Sequence, residues 1–396
     1  MNMASRRESL IERELIPLSI PTLRGNEWKY IKECLDTGWV SSVGPFVEQF
    51  EKKVAEFVNA GFGVATMNGT AALHIALQVA GVEPGDEVLV STLTFIAPVN
   101  AIRYIGAFPV FIDAEPSYWQ MDPQGVQDFL KKECQRRNGA LYNRKTGRRV
   151  RAILPVHILG HPVDLDPIQE LARLYELPVV EDATESLGAS YRGKMVGNLG
   201  EIACFSFNGN KIITTGGGGM IVTNNEKWAR RAKHLTTQAK DDPLEYVHSE
   251  IGYNYRLTNL LAAMGCAQME QLTEFVSTKR RIASTYSKVL DGVPGITPMS
   301  EATWANSTFW LYTVLVDREK FGIDSRTLLR KLERCNIQTR PLWQPTHRSK
   351  AFVDCGSFDC PVADRLNAEA LSLPSSVGIT EDDIQYVLEV LTSPNS

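Results

Sequence analysis

Residues 203–222 read ACFSFNGNKIITTGGGGMIV, and the reading of this stretch decides the fold. The apolar run at 203–207 has the character of a buried strand. An Asn-Gly-Asn turn leads into Lys211, two isoleucines and two threonines follow, and four glycines precede a second apolar run. No carboxylate within the stretch can pair with Lys211. A lysine held in a turn between apolar runs has its ammonium partly desolvated, which favours the free amine and suits it to form a Schiff base. The glycines allow backbone to come close to a bound group or to another chain. The same residues also fit a tight turn with a solvated lysine at its tip. What accompanies Lys211 elsewhere in the chain decides between the two.

Working outward, length and charge narrow the field. The chain has 396 residues, enough for two or three domains, with an ordinary globular composition and a net charge of −4. No overall basic field draws it to nucleic acid or to a membrane surface. No apolar run is long enough to span a bilayer, and the N-terminus has charges on both sides of its few apolar residues, unlike a signal peptide. The seven cysteines, Cys34, Cys134, Cys204, Cys266, Cys335, Cys355 and Cys360, form no C-x-x-C pair. A reducing cytoplasm is the expectation, without zinc or a disulfide framework. The six histidines show no metal-ligand spacing.

N-terminal to Lys211, strands and helices alternate. A helix is expected over 26–34 and another from Pro45, then strands at 62–67, 88–90, 108–112 and 153–157. Asn68-Gly69-Thr70 ends a strand and opens a helix, whose unpaired N–H groups suit a phosphate; an ordinary threonine cap is the competing reading. Phe95 follows a strand, where an aromatic ring either stacks on a flat heterocycle or joins the core. Residues 131–151 carry nine lysines and arginines, which read as a solvated loop because no aromatic is interleaved for stacking on nucleic acid. Four apolar positions lead into Glu181-Asp182 at a strand end, where a carboxylate points into the ligand crevice. Asp182 there can hold a pyridinium N–H or cap the next loop. No G-x-G-x-x-G or Walker loop follows any early strand, which disfavours a nucleotide-dependent oxidoreductase. After residue 255 a long helix precedes renewed alternation, with strands at 309–316 and 336–340 and a final helix from Asp382. A large α/β domain followed by a smaller one is the expectation, divided as 1–255 and 256–396.

Five motifs then fall in register: NGTAAL, TFIAP, EDATESLG, FSFNGNK with its glycine run, and GYNYRLTN. Together they closely resemble the DegT/DnrJ/EryC1/StrS sugar aminotransferases from about residue 15 to the end. The resemblance implies the aspartate-aminotransferase fold (fold type I), with a large mixed seven-stranded α/β/α domain, a smaller C-terminal α/β domain, and pyridoxal 5'-phosphate as cofactor. It makes Lys211 the Schiff-base lysine, Asp182 the partner of the pyridine nitrogen and Phe95 the residue on the ring face. Thr70, the amide of Ala71, and Ser206 become phosphate ligands. Asn254 reaches the cofactor of the neighbouring subunit, which implies a homodimer with shared active sites, and Arg256 contacts substrate. His157, Arg340, Trp343 and His347 are candidates to line the sugar pocket, each with a structural role as the competing reading.

One departure stands out: Glu185 occupies a position near the cofactor's phenolic oxygen where many members carry Gln or His. Together with the basic segment at 131–151, the 208–220 sequence and TTQAKDD, it resembles the bacillosamine and legionaminic acid branch. The implied reaction is transamination of a nucleotide-linked 4-keto-6-deoxy sugar, UDP-2-acetamido-2,6-dideoxy-4-keto-hexose, with L-glutamate as donor. The alternatives are C3 amination of a dTDP-sugar, GDP-perosamine synthesis, and a regulator that binds a sugar nucleotide without turnover. Relatives that dehydrate instead carry His at the lysine position, and Lys211 argues against that chemistry.

Overall fold

A computed structural model describes residues 13–242, 244–357 and 359–393. Its centre is a mixed sheet whose strands lie, in spatial order, as Phe62–Thr66, Gly219–Thr223, Ile202–Ser206, Val180–Asp182, Val150–Leu154, Glu87–Ser91 and Phe108–Ile112. Two ladders are joined across Val150–Leu154 and Val180–Asp182 by the bridges Ile153↔Val179 and Val156↔Asp182. Gly219–Thr223 runs antiparallel to both neighbours, and the other pairings in the sheet are parallel. A two-residue strand, Gly356–Ser357, extends the far edge.

The strands are apolar at nearly every position because both faces are covered. Val88, Val90, Phe111, Ala152 and Leu154 join one buried cluster, with Leu73 and Leu77 of the helix Gly69–Val79 and Val99 and Ile102 of Ala97–Tyr104. The alternating residues Leu89, Val110, Ile112 and Ile153 point the other way, into a cluster with Leu165 and Ile168 of Leu165–Tyr175. The period of two thus builds an α/β/α sandwich, the fold type I architecture. Gly219 shows why the glycine run is needed. A Cβ there would collide with the backbone of Asn68, so only glycine lets the central antiparallel strand pass the loop that opens the helix at 69.

The C-terminal part holds an antiparallel sheet of Ile296–Pro298, Tyr312–Val316 and Ala370–Leu373, with the helices Leu272–Leu290, Ser325–Arg334 and Glu381–Thr392 beside it. Three local expectations change. The long helix after residue 255 is two helices, Asn259–Met269 and Leu272–Leu290, and the first packs on Glu27–Thr37 and Pro45–Phe57 of the N-terminal part. Residues 336–340 make only isolated bridges, Ile16↔Ile337 and Arg340↔Ser372, rather than a strand. The basic segment forms a hairpin, Cys134–Arg137 with Ala140–Asn143. Just beyond the hairpin, Arg149 pairs with Asp86 and Glu83 of the 83–87 turn and Arg148 stacks 3.5 Å above the Phe108 ring, while Arg136 of the hairpin pairs with Glu176. Among the described residues, no helix is long and apolar enough to cross a membrane.

Candidate active site

The carboxyl ends of the central strands converge where three chain segments meet. Asp182 ends its strand in register with Cys204, and Ser206 ends the next in register with Gly219. The N-terminus of the helix Gly69–Val79 sits against them. A Cβ on Gly69 would lie 2.9 Å from Ser206 Cβ and 3.2 Å from Thr184 Cγ2. With no side chain at Gly69, the N-terminus of this helix packs directly beside the hydroxyl residues Ser206 and Thr184, and helix N-terminal N–H groups suit a phosphate. Asn68 caps this helix, its Oδ1 accepting the Ala71 N–H at 2.8 Å. The Ala71 amide, expected as a phosphate ligand, is therefore already engaged, and the Asn68 side chain must yield before that amide can serve.

Lys211 follows Ser206 through the turn, where its own N–H bonds to Asn208 O at 3.0 Å. Its side chain is 14% exposed and enters a cavity lined by Thr184, Glu185, Leu187, Ser206, Ile212 and Ile213. Nζ lies 3.6 Å from Glu185 Oε1 and 4.0 Å from the centroid of the Trp310 ring. The stretch around Lys211 contains no carboxylate, but the fold supplies one from the loop after Asp182. Glu185 is buried, and burial pushes its carboxyl up to about 7 against the opposing pull of Lys211 and the Leu159 N–H, which donates to Oε2 at 2.8 Å. Asp182 is buried too. Desolvation raises its carboxyl, while the Thr184 N–H at 3.1 Å and the nearby Lys211 and His157 oppose the shift. A cationic N–H brought to Asp182 would compensate that desolvation.

The remaining candidates fall into two groups. Phe95 is 55% exposed and Asn254 is exposed, so both faces are open to a ligand or a partner. The segment holding Trp343 and His347 docks on the loop after Glu87–Ser91, with Thr346 N bonded to Thr92 O at 2.9 Å. His347 bonds Thr92 Oγ1 at 2.8 Å and faces Asp364 at 3.3 Å, Trp343 is half-buried, and Arg340 is exposed. Two expectations are corrected. His157 is fully buried: Val163 N–H donates to its Nδ1 at 2.9 Å, so Nε2 carries the proton facing Glu181 at 3.1 Å, and no edge is left for a sugar. Arg256 is held by Glu51 and by Ala65 O at 3.1 Å, which makes it a clamp on the end of Phe62–Thr66 rather than a substrate contact. Sequence reading missed Thr184 and Trp310. Thr184 lay inside a motif already singled out, but Trp310 is 100 residues from the Asn210 carbonyl it binds, and nothing local signals that pairing.

A lysine amine in a partly buried cavity, a buried carboxylate at the neighbouring strand end and a helix N-terminus set beside Ser206 and Thr184 fit pyridoxal phosphate as a group. The fold and this site define a fold type I, pyridoxal-phosphate-dependent aminotransferase. The sequence matches the DegT/DnrJ/EryC1/StrS aminotransferase family over residues 21–392, and the chain belongs to that family. It is 38% identical over 377 residues to a GDP-perosamine synthase of Caulobacter vibrioides, covering 95% of this chain and 97% of the relative. EpsN of Bacillus subtilis is 40% identical over 384 residues, covering 95% of each chain. The crystal structure of the aminotransferase TlmJ from Streptoalloteichus hindustanus superposes with a TM-score of 0.86 at 28% identity, over 96% of this chain and 98% of that one. The protein is an aminotransferase of nucleotide sugars.

Proposed function

We propose that this enzyme aminates C4 of a nucleotide-linked 4-keto-6-deoxy sugar, taking the amino group from L-glutamate. The observation that carries the reading is the placement of Lys211 Nζ beside Glu185, in the cavity at the strand end occupied by Asp182. When bound, pyridoxal phosphate supplies an aldehyde for an amine to attack and a ring that accepts the electrons of a carbanion. The residues supply the rest. Lys211 Nζ would hold the cofactor and, once freed by the donor amine, would act as the general base and then the general acid that moves a proton between carbons. Asp182 keeps the ring nitrogen protonated. Thr70, Thr184, Ser206 and the N-terminal N–H groups of the helix Gly69–Val79, that of Ala71 once Asn68 yields it, would hold the phosphate, and Phe95 would lie against the ring. Glu185, with its raised carboxyl, donates a hydrogen bond as the neutral acid or takes the Lys211 proton as the anion.

The relatives at 38% identity named as GDP-perosamine synthases favour a GDP-linked keto sugar over the UDP-2-acetamido sugar expected from the motifs. Arg340, Trp343 and His347 remain the candidates for the sugar side, on a segment docked at the strand ends. We propose a homodimer in which Asn254 enters the partner's site. Its support is the exposed apolar chain next to the site residues: Ile251 before Asn254, Met67 before Gly69 and Ile96 beside Phe95. The seven cysteines, none of them in a disulfide among the described residues, favour a cytoplasmic setting. The test incubates the loaded enzyme with glutamate and a panel of GDP-, UDP- and dTDP-linked 4-keto and 3-keto sugars, with mass spectrometry of the products. A 4-amino product is expected; turnover confined to a 3-keto sugar contradicts the C4 assignment.

A further inference from the structure

The turn Ile158–Gly160 has two consecutive residues in the left-handed region, Leu159 with φ +59 and Gly160 with φ +89. Leucine seldom adopts that conformation, and such strain collects where the surroundings impose a precise placement. Both residues hold something that faces Lys211. The Leu159 N–H donates to Glu185, whose Oε1 flanks Nζ. Gly160 O accepts from Thr308 N at 3.0 Å, and a Cβ on Gly160 would lie 2.8 Å from Trp310 N and 3.0 Å from Phe309 N. Only glycine admits the 308–310 segment so close. Phe309 is itself at φ +50, the bend that swings Trp310 inward.

Trp310 is secured on three sides. Its ring is buried under Nζ at 4.0 Å from the centroid, and its Nε1–H donates to Asn210 O at 2.7 Å, the carbonyl just before Lys211. Its own carbonyl accepts from Nζ of the buried Lys279 at 2.7 Å. An indole face holds a cation electrostatically, and the ring also excludes water from that side of the amine.

We propose that Trp310 is a positioning residue for the Lys211 amine, its indole face and Nε1–H fixing Nζ and the Asn210–Lys211 backbone opposite Glu185, with the Ile158–Gly160 turn setting both flanks. The consequence is that a residue of the C-terminal part governs how the amine is presented to an aldehyde. The inference rests on Lys211 being the cofactor-bearing amine, yet its test reads the amine directly and not the reaction.

The cofactor-free full-length protein is labelled with trace acetic anhydride at fixed pH, and the rate at Lys211 relative to the other lysines is read by peptide mass mapping. Trp310→Leu should raise that relative rate about three- to tenfold, the scale of a lost cation–ring contact. Trp310→Phe, which keeps a ring face but loses the Nε1–H to Asn210 O, should label at a rate between wild type and Trp310→Leu. Wild-type labelling in a folded Trp310→Leu protein overturns the proposal. A second measurement does not depend on the Leu variant folding. The indole 15N–1H resonance assigned to Trp310 by its loss in Trp310→Phe should shift in Lys211→Met, and an unmoved resonance overturns the proposal. Failure of every keto sugar to turn over would leave these readouts intact, which separates the two claims.

Discussion

Glu185 lies buried beside Lys211, and its surroundings give a pH signature. Its carboxyl sits at about 7 in the folded, cofactor-free protein, above its ordinary value of 4.5. Between those values the folded state keeps a proton that the unfolded state has released, so stability falls as pH rises through that window. Glu185→Gln removes the titration. The wild type should lose roughly 1–3 kcal/mol relative to this variant between pH 4.5 and 7, measured by urea unfolding of the cofactor-free proteins. Parallel curves would show that Lys211 holds Glu185 ionised throughout. The same residue marks a limit of sequence reading. The resemblance implied a place for Glu185 near the cofactor, but its contact with Lys211 was not legible in the motif. The two approach because parallel strands set their carboxyl ends side by side, a consequence of register rather than of any local pattern.

At the scale of elements, the helix Gly69–Val79 begins with an asparagine cap where a threonine cap was the competing expectation. Asn68→Ala should destabilise the cofactor-free protein by about 1 kcal/mol. Because it frees the Ala71 amide, the loss in phosphate affinity should be smaller than for Ser206→Ala; an equal or larger loss would show that Asn68 itself contacts phosphate. Lys279 gives a second test. It lies within Leu272–Leu290, and burial lowers its amine to about 7 from 10.5. The unfolded state therefore binds the extra proton between those values, and the native state gains stability relative to Lys279→Met as pH rises from 7 toward 10. Thermal unfolding at pH 7 and pH 9 measures the difference. Element types were legible in the sequence wherever apolar period and turn residues agreed, as at 108–112 and 226–236. They were less so at the 270–271 break, because apolar spacing runs through Glu270 and Gln271 without a proline or glycine to mark it. The hairpin at 134–143 was hidden by its charges, and the carboxylate partner of its Arg136, Glu176, is 40 residues away in sequence.

For the whole molecule, the sandwich followed from the alternation of strands and helices, and the bearing of the C-terminal part on Lys211 did not. Trp310 reads as one more apolar residue of a strand until the fold folds it back over the amine. The exposed apolar chain beside Asn254, Phe95 and Met67 is expected to be covered by a second copy. Sedimentation should give a dimer, and mixing Lys211→Ala with Asn254→Ala protein should restore part of the activity each has lost, since a mixed dimer contains one site with both residues intact. No gain on mixing would place Asn254 outside the partner's site. The most direct test of the account is reduction of the pyridoxal-phosphate-loaded protein with borohydride, followed by peptide mass mapping. The account predicts a single phosphopyridoxyl adduct at Lys211, absent from Lys211→Ala; an adduct at Lys279 or any other lysine, with Lys211 unmodified, would contradict it.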